Sequence, residues 1–345
     1  MSLAMYHHPE FDHENVHHFN DPATGLQCII AIHRTVAGTT GGGCRFFPYA
    51  SPDDALTDVL RLSRAMTYKN VLAGLPMGGG KAVVIGNPDT DKSPEILAAF
   101  ARCVESLGGR YVTACDVGTN EDDMRLVHGH TRYTMGAKGH GGSTAPLTGY
   151  GVYQSMRAAW ESVTGSTDLA GVRVAVQGYG GVGTYLVKHL LEAGADLVVA
   201  DPHPAAAQRA RSAGLAMVPV DEILFRETEI LSPNALGAVL NDLTIPKIKA
   251  RLICGGANNQ LEEARHADAL MDQGIVFIPD FVASAGGIIH GEGHYRGRSK
   301  EEILKTVERI YDTTREVLKG ASARNQTPLV AAYELAEQRL QEHPA

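Results

Sequence analysis

Apolar positions change period along this chain, and the changes mark out its elements. Residues 27–33 (Gln-Cys-Ile-Ile-Ala-Ile-His) form a short β-rich run that predicts an early strand. Ser51-Pro52-Asp53-Asp54 then combines a helix N-cap, a proline suited to the first turn and two acids. Behind it Ala55, Leu56, Val59, Leu60, Leu62, Ala65 and Met66 keep an apolar stripe, so a helix is expected to deliver the chain to Lys69. Ala82–Ile85 reads as a short apolar strand. Ser93-Pro94-Glu95 opens a second helix with Ile96, Leu97, Phe100, Val104 and Leu107 on its core face, stopped by Gly108-Gly109. Tyr111–Ala114 is the next strand, running on to Asp116. The first region is therefore α/β.

From Gly171 the pattern becomes strand (Val172–Gln177), glycine turn, helix (about Val182–Ala193) and strand (Asp196–Ala200). The turn carries Gly178-Tyr179-Gly180-Gly181-Val182-Gly183, a Gly-x-Gly-x-x-Gly, and Asp201 ends the second strand. Alone the glycine string says little; between a strand and a helix, with an acid about 20 residues on, it is a dinucleotide fingerprint. Gly178 makes the turn, Gly180 lets backbone meet a pyrophosphate at the helix N-terminus, and Gly183 allows close helix packing. Asp201 accepts hydrogen bonds from an adenosine ribose and repels a 2′-phosphate, so NAD is expected over NADP.

Further apolar strands at Ile230-Leu231, Leu252–Cys254 and Val276–Ile278 continue a Rossmann-type sheet. Asn234, Asn258 and Asn259 follow strand ends, where ligands of open α/β sheets bind, and are expected to meet the nicotinamide half. Lys300–Leu318 and Leu329–Leu340 read as amphipathic helices with packing and solvent faces. The expected organisation is a substrate-binding and catalytic domain over 1–140 and an NAD-binding domain over 141–324, with a helix at about 325–345 free to pack back on the first. The stretch Gly136–Gly142, with four glycines around Lys138 and His140, is expected to be the hinge.

Composition narrows the function. At 345 residues the chain can build two ordinary cores. A net charge of -8 without a basic run excludes phosphate-backbone binding, leaving small-molecule partners and no nucleic acid. No apolar run approaches membrane-spanning length and the N-terminus carries no signal-like segment, so a soluble, cytoplasmic protein without a membrane partner is expected. The five cysteines, Cys28, Cys44, Cys103, Cys115 and Cys254, form no Cys-x-x-Cys pair and read as reduced thiols. His7, His8, His13, His17 and His18, like His128/His130 and His290/His294, fit no compact ligand spacing. No metal is expected.

Candidate chemistry concentrates at Lys69 and Lys81, the latter directly after Gly78-Gly79-Gly80. Three glycines let backbone approach a small ligand closely. Two nearby ammonium groups can divide the labour: one holds a carboxylate, while the other, desolvated and repelled by the first, acts as a base.

The chain resembles the amino-acid dehydrogenases of the glutamate, leucine, phenylalanine and valine dehydrogenase superfamily, closest to the leucine and phenylalanine branch. The resemblance rests on motifs in order along nearly the whole length. These are Gly42-Gly43-Cys44-Arg45, Met66-Thr67-Tyr68-Lys69, Gly78-Gly79-Gly80-Lys81, Asp116-Val117-Gly118-Thr119, Pro233-Asn234-Ala235-Leu236-Gly237, Gly256-Ala257-Asn258-Asn259, Asp280-Phe281-Val282 and Ala285-Gly286-Gly287. It implies an active site in the cleft between two α/β domains. It further implies that Lys69 binds the substrate α-carboxylate, Lys81 is the base that activates water, and Asp116 exchanges a proton with the substrate nitrogen. Thr148 resembles a cofactor-contacting threonine, and Ala235 joins the asparagines at the cofactor. Gly41, Gly42, Gly43, Met66, Ala114, Ser284, Ile288 and Gly291 fall where the family borders its amino acid. The implied reaction is reversible NAD-dependent oxidative deamination of an apolar L-amino acid to a 2-oxo acid and ammonia, by a homo-oligomer, commonly a dimer or octamer. The rival readings are a Rossmann oxidoreductase on another small substrate, such as a hydroxy acid, and a non-catalytic amino-acid- and NAD-binding protein.

Two departures stand out. Ser284 replaces the family's usual asparagine, and Gly142-Ser143-Thr144-Ala145-Pro146 replaces a Gly-Asp-Pro-Ser-Pro of leucine-type relatives. Glutamate dehydrogenases place a lysine, and leucine dehydrogenases a leucine, where this chain has Gly41. Glutamate should therefore be rejected. With Gly291 also lacking a side chain, room for an aromatic ring is expected, ranking phenylalanine or another bulky apolar amino acid above valine, with leucine the runner-up.

Overall fold

The structure is a computed structural model that describes residues 12–137 and 143–342. His7, His8 and most of the expected hinge, from Lys138 through His140 to Gly142, lie outside the described residues. The described chain divides into two compact units: residues 12–137, 143, 290–299 and 336–342, and residues 144–289 and 300–335.

The first unit contains β1 (Asn15–Asp21), β2 (Leu26–Arg34), β3 (Thr40–Phe47), α1 (Pro52–Leu72), β4 (Gly78–Ile85), α2 (Pro94–Ser106), β5 (Tyr111–Cys115) and α3 (Glu121–His128). Its five strands run in the order β1-β2-β4-β3-β5. The β1–β2 and β2–β4 pairs are antiparallel, whereas β3 lies parallel to both β4 and β5. Helix α1 starts as the sequence dictates: the Ser51 side chain accepts from Asp54 N, with Pro52 in the first turn. Ala55, Leu56, Val59 and Leu60 from its stripe are buried against Ile29, Ala31 and Val83.

The strand expected at 82–85 begins four residues earlier and takes in all three glycines. They do not form an open loop beside a ligand. A Cβ on Gly79 would overlap Thr67 N and Ser63 O of α1, and one on Gly78 would overlap Arg34 O of β2. The glycines let a helix and a neighbouring strand touch the β4 backbone, and Lys81 inherits that rigid setting.

The second unit contains α4 (Ala145–Thr164), β6 (Arg173–Gln177), α5 (Gly181–Glu192), β7 (Asp196–Ala200), α6 (Pro204–Ser212), β8 (Ala216–Met217), β9 (Ile230–Pro233), β10 (Leu252–Ile253), α7 (His266–Asp272), β11 (Val276–Phe277) and α8 (Asp280–Ala283). Then follow α9 (Gly286–Tyr295), whose C-terminal half from His290 belongs to the first unit, α10 (Lys300–Glu308), α11 (Ile310–Arg324) and α12 (Pro328–Glu342), which rejoins the first unit from Ala336. The single helix expected over Lys300–Leu318 is two, interrupted at Arg309 and continued to Arg324. The six strands are parallel in the order β11-β10-β9-β6-β7-β8. Successive strands leave β6 first on one side and then on the other, so β6 and β9 flank the point where strand order reverses. Dinucleotides bind at such a point.

The end of α12 is fastened to α1: the Tyr68 hydroxyl donates to Glu337 Oε1 at 2.8 Å and Arg339 Nη1 to Leu72 O at 2.9 Å.

Candidate functional site

The first unit brings Lys81 and Asp116 together by strand register. Lys81 lies on β4, β3 separates β4 from β5, and Asp116 follows the last residue of β5. Lys81 Nζ stands 2.8 Å from Asp116 Oδ2. Lys81 is buried, at 5 % exposure. The expectation of a lysine repelled by a second cation thus meets an anion as its direct partner. Arg45, next on β3, donates from Nε to the same Asp116 Oδ2 at 3.1 Å and from Nη1 to Asp58 Oδ2 at 2.9 Å. Tyr49 donates to Asp58 at 2.5 Å. Burial would raise the Asp116 carboxyl, but Lys81 and Arg45 outweigh it and hold the group below the usual carboxylate range. Thr119 fixes the backbone there, its hydroxyl accepting from Asp116 N at 2.9 Å and donating to Cys44 O at 2.8 Å.

Met66, Lys69 and Asn70 sit at i, i+3 and i+4 on α1, the spacing that puts side chains on one face. Asn70 is fully buried and locks that face to the glycine strands, its Nδ2 donating to Gly41 O at 3.1 Å and to Gly78 O at 2.7 Å. A Cβ on Gly42 would overlap Gly80 O and come within 3.2 Å of Met66 Cγ. On Gly43, opposite Ala114 in the parallel register, it would meet Cys115 O at 2.6 Å and Asp116 Cβ at 2.8 Å. Gly42 and Gly43 are thus glycine because strand backbones crowd them.

Gly41 and Gly291 both lie beside Met135. A Cβ there would meet Met77 Sδ at 2.6 Å and Met135 Cε at 3.3 Å, and one on Gly291 of α9 would meet Met135 Cβ at 3.6 Å. Met77 and Met135 are both buried. The end of Met77 takes up the place of a side chain at Gly41, while Met135 lies at ordinary contact distance from a Cβ on Gly291, so the first gap is occupied and the second is bordered by a flexible thioether chain. Missing side chains in a line of sequence do not report what folds in from elsewhere.

In the second unit the glycine fingerprint forms its cradle at the carboxyl end of β6. Gly178 has φ +96°, and a Cβ on Gly183 would overlap Gly178 O, so both glycines are sterically required. Gly180 faces open space, Gly181 opens α5 with Val182 behind it, and α5 starts with no side-chain cap, leaving its first N–H groups for an anion. This cradle fits a pyrophosphate.

Asp201 Oδ2 accepts from Tyr179 N at 2.7 Å and Oδ1 from His203 N at 2.8 Å. A carboxylate has about four acceptor positions, so both oxygens keep capacity for ribose hydroxyls. Arg209, which local sequence spacing did not flag, donates from Nη2 to Tyr179 O at 3.3 Å.

The asparagines divide. Asn234 Nδ2 donates to Ser232 O at 2.9 Å while its Oδ1 accepts from Gly256 N at 2.9 Å, so this amide ties the ends of β9 and β10 together. Ala235 lies against Gly178, and Asn258 and Asn259 are exposed, with Asn259 N donating to Asp280 Oδ2 at 2.9 Å. The buried Thr148 donates to Thr144 O at 3.0 Å. A Cβ on Gly286 would overlap Leu147 O and one on Gly287 would reach Thr148 Oγ1 at 2.9 Å, which accounts for that glycine pair by packing on α4. Ser284 is buried just before α9, and Ile288 is half-buried on it.

The two half-sites, a lysine–carboxylate pair and a dinucleotide cradle, define an amino-acid dehydrogenase, and comparison with known proteins agrees. Residues 13–133 match the model of the Glu/Leu/Phe/Val dehydrogenase dimerisation domain. Residues 141–203 and 201–344 match that of the glutamate/leucine/phenylalanine/valine dehydrogenases. The chain belongs to this family. It is 44 % identical to leucine dehydrogenase of Bacillus cereus over 345 residues, covering 99 % of this chain and 94 % of that one. It is 43 % identical to valine dehydrogenase of Streptomyces virginiae over 344 residues, covering 98 % and 96 %. Among solved structures, L-tryptophan dehydrogenase from Nostoc punctiforme superposes with a TM-score of 0.88 at 39 % identity, covering 97 % and 98 % of the two chains. Family membership sets aside the hydroxy-acid reading.

Proposed function

We propose that this amino-acid dehydrogenase carries out the NAD-dependent deamination L-amino acid + NAD⁺ + H₂O → 2-oxo acid + NH₄⁺ + NADH + H⁺, with an aliphatic, leucine-type substrate first. The observation that carries the chemistry is the buried Lys81–Asp116 pair at 2.8 Å. Lys69 holds the α-carboxylate and Asp116 exchanges a proton with the substrate nitrogen. When bound, the nicotinamide supplies the acceptor for the Cα hydride. Lys81 takes the proton of the water that adds to the resulting substrate imine and returns it as ammonia leaves. Support for NAD over NADP comes from the Asp201 carboxylate at the end of β7, which opposes a 2′-phosphate.

The preference in substrate size is read from Met77, which takes up the place of a Gly41 side chain, and from Met135, which lies beside both Gly41 and Gly291. An apolar subsite of this kind suits leucine, and methionine's adaptability admits phenylalanine second. No cation stands at position 41, so glutamate is refused. The protein works as a homo-oligomer, in keeping with the dimerisation-domain description of the region matched by residues 13–133. Stoichiometric release of ammonia and 2-oxo acid with NADH tests the reading. NADH formation without ammonia would refute it.

A further inference from the structure

We propose that Arg45 is a positioning residue for the proton-transfer pair, a permanent cation that keeps Asp116 charged and aimed while Lys81 gains and loses its proton. Arg45 lies on β3 beyond the Cys44–Cys115 pairing, one step from the strand end that presents Asp116. Its fork is used twice: Nε binds Asp116 Oδ2 and Nη1 binds Asp58 Oδ2. Tyr49, donating to that same Asp58 oxygen, closes the far side. A planar guanidinium held at two points has no freedom to turn.

Two consequences follow. Both cations engage the same oxygen, Oδ2, so the carboxylate plane is fixed and Oδ1, which has no partner among the described residues, is left for the substrate nitrogen. Second, the cluster balances as two cations, Lys81 and Arg45, against two carboxylates, Asp116 and Asp58. When Lys81 is neutral during turnover, only Arg45 still compensates Asp116, and an arginine does not deprotonate at working pH. Among the described residues Lys81 and Arg45 are the cations paired with Asp116, and Lys69 on α1 is assigned to the substrate carboxylate in the proposed reaction. Cys44 on β3 is buried and kept neutral, Cys115 is pushed up by burial and by Glu121, and Asp123 is paired with Lys92 at 2.8 Å. The inference rests on Asp116 acting in the proposed reaction.

The test is the pH dependence of kcat/KM for leucine in the full-length parent, Arg45→Gln, Arg45→Lys and Arg45→Ala, the last with and without added guanidinium chloride. Losing an adjacent opposite charge moves a carboxylate by about 1 unit or more. Arg45→Gln should therefore shift the acidic limb up by about that much and lower kcat about 10-fold or more, the scale of an impaired proton transfer. NADH binding should not change. Arg45→Lys should keep the limb near the parent's position, and guanidinium should restore part of the Arg45→Ala rate. A soluble Arg45→Gln protein with the parent's thermal midpoint and an unmoved limb would overturn the proposal, as would equal losses in the Lys and Gln variants. A parent that forms no NADH from any amino acid would refute the proposed reaction instead.

Discussion

Lys81 Nζ and Asp116 Oδ2 stand 2.8 Å apart, and register across three parallel strands sets that separation. The pair has hydrogen-bond geometry for direct proton exchange. Lys81→Ala and Asp116→Asn should each lower kcat by roughly 10²-fold or more while leaving NADH affinity, read by fluorescence titration, within a few-fold of the parent. Lys69→Ala should act mainly on KM, since a carboxylate anchor serves ground and transition states alike. Near-normal kcat in Lys81→Ala would remove the residue from the mechanism.

Cofactor choice is proposed to turn on Asp201, at the end of β7. Asp201→Ala should weaken NAD about 10-fold, the loss of charged hydrogen bonds to the ribose, and narrow the preference over NADP. Arg209, tied to Tyr179 O, is the nearby cation a 2′-phosphate would use, so Asp201→Ala with Arg209→Ala should lose the NADP activity that the single variant gains. A parent that used NADP as efficiently as NAD would contradict the role given to Asp201.

Met135 lies beside Gly41, and in the proposed reading both border the substrate side chain. Met135→Ala empties part of the filled space and should raise the phenylalanine-to-leucine ratio of kcat/KM. A difference of about 1–3 kcal/mol corresponds to about 10- to 200-fold. Gly41→Leu must displace Met77 Sδ and should lower the same ratio. Ratios that stay put in both soluble variants would mean that this space does not meet the substrate.

Acid stability should be governed by two imidazoles behind α1, His33 buried and His13 half-buried. His13 Nε2 lies 2.7 Å from Ser63 Oγ and His33 Nδ1 lies 2.9 Å from Thr67 Oγ1, with the rings 4.9 Å apart. Burial pushes His13 down to about 4 and His33 down to about 3. Both are neutral in the folded chain at a pH where the unfolded chain, near 6.5, already binds protons. Stability should be undiminished above about pH 6.5 and fall as pH drops from there toward 4. Asp116, depressed in the fold, loses its contribution only below the ordinary carboxylate range, so the upper window belongs to the histidines. Urea midpoints at pH 7 and pH 5 should therefore differ less in His33→Gln than in the parent; parallel shifts would contradict this assignment.

Local signals were readable where the side chain and its cause lie close in sequence. Ser51 caps α1, Gly178–Gly183 forms its turn, and Asp201 ends β7 at the expected position. Where the cause lies far away, sequence gave no warning. Strand β3 carries Gly41, Gly42 and Gly43, and the crowding of the last two by Gly80 O and Cys115 O appears only in the fold. Helix α4, which carries Gly149 and Gly151, shows no clean stripe because those glycines pack against α5, α8, α9 and α11 instead of facing solvent. Arg45 stood inside a quoted motif, yet its two carboxylate partners come from α1 and from beyond β5. Met77 and Met135 reach Gly41 from 36 and 94 positions away.

The most direct test of the account is initial-rate NADH formation with L-leucine, L-phenylalanine, L-valine and L-glutamate, in the parent and in Lys81→Ala. The account predicts kcat/KM in the order leucine, phenylalanine, valine, no detectable rate with glutamate, and loss of roughly 10²-fold or more in kcat for the variant. Glutamate at the head of the series, or a Lys81→Ala protein as fast as the parent, would contradict it.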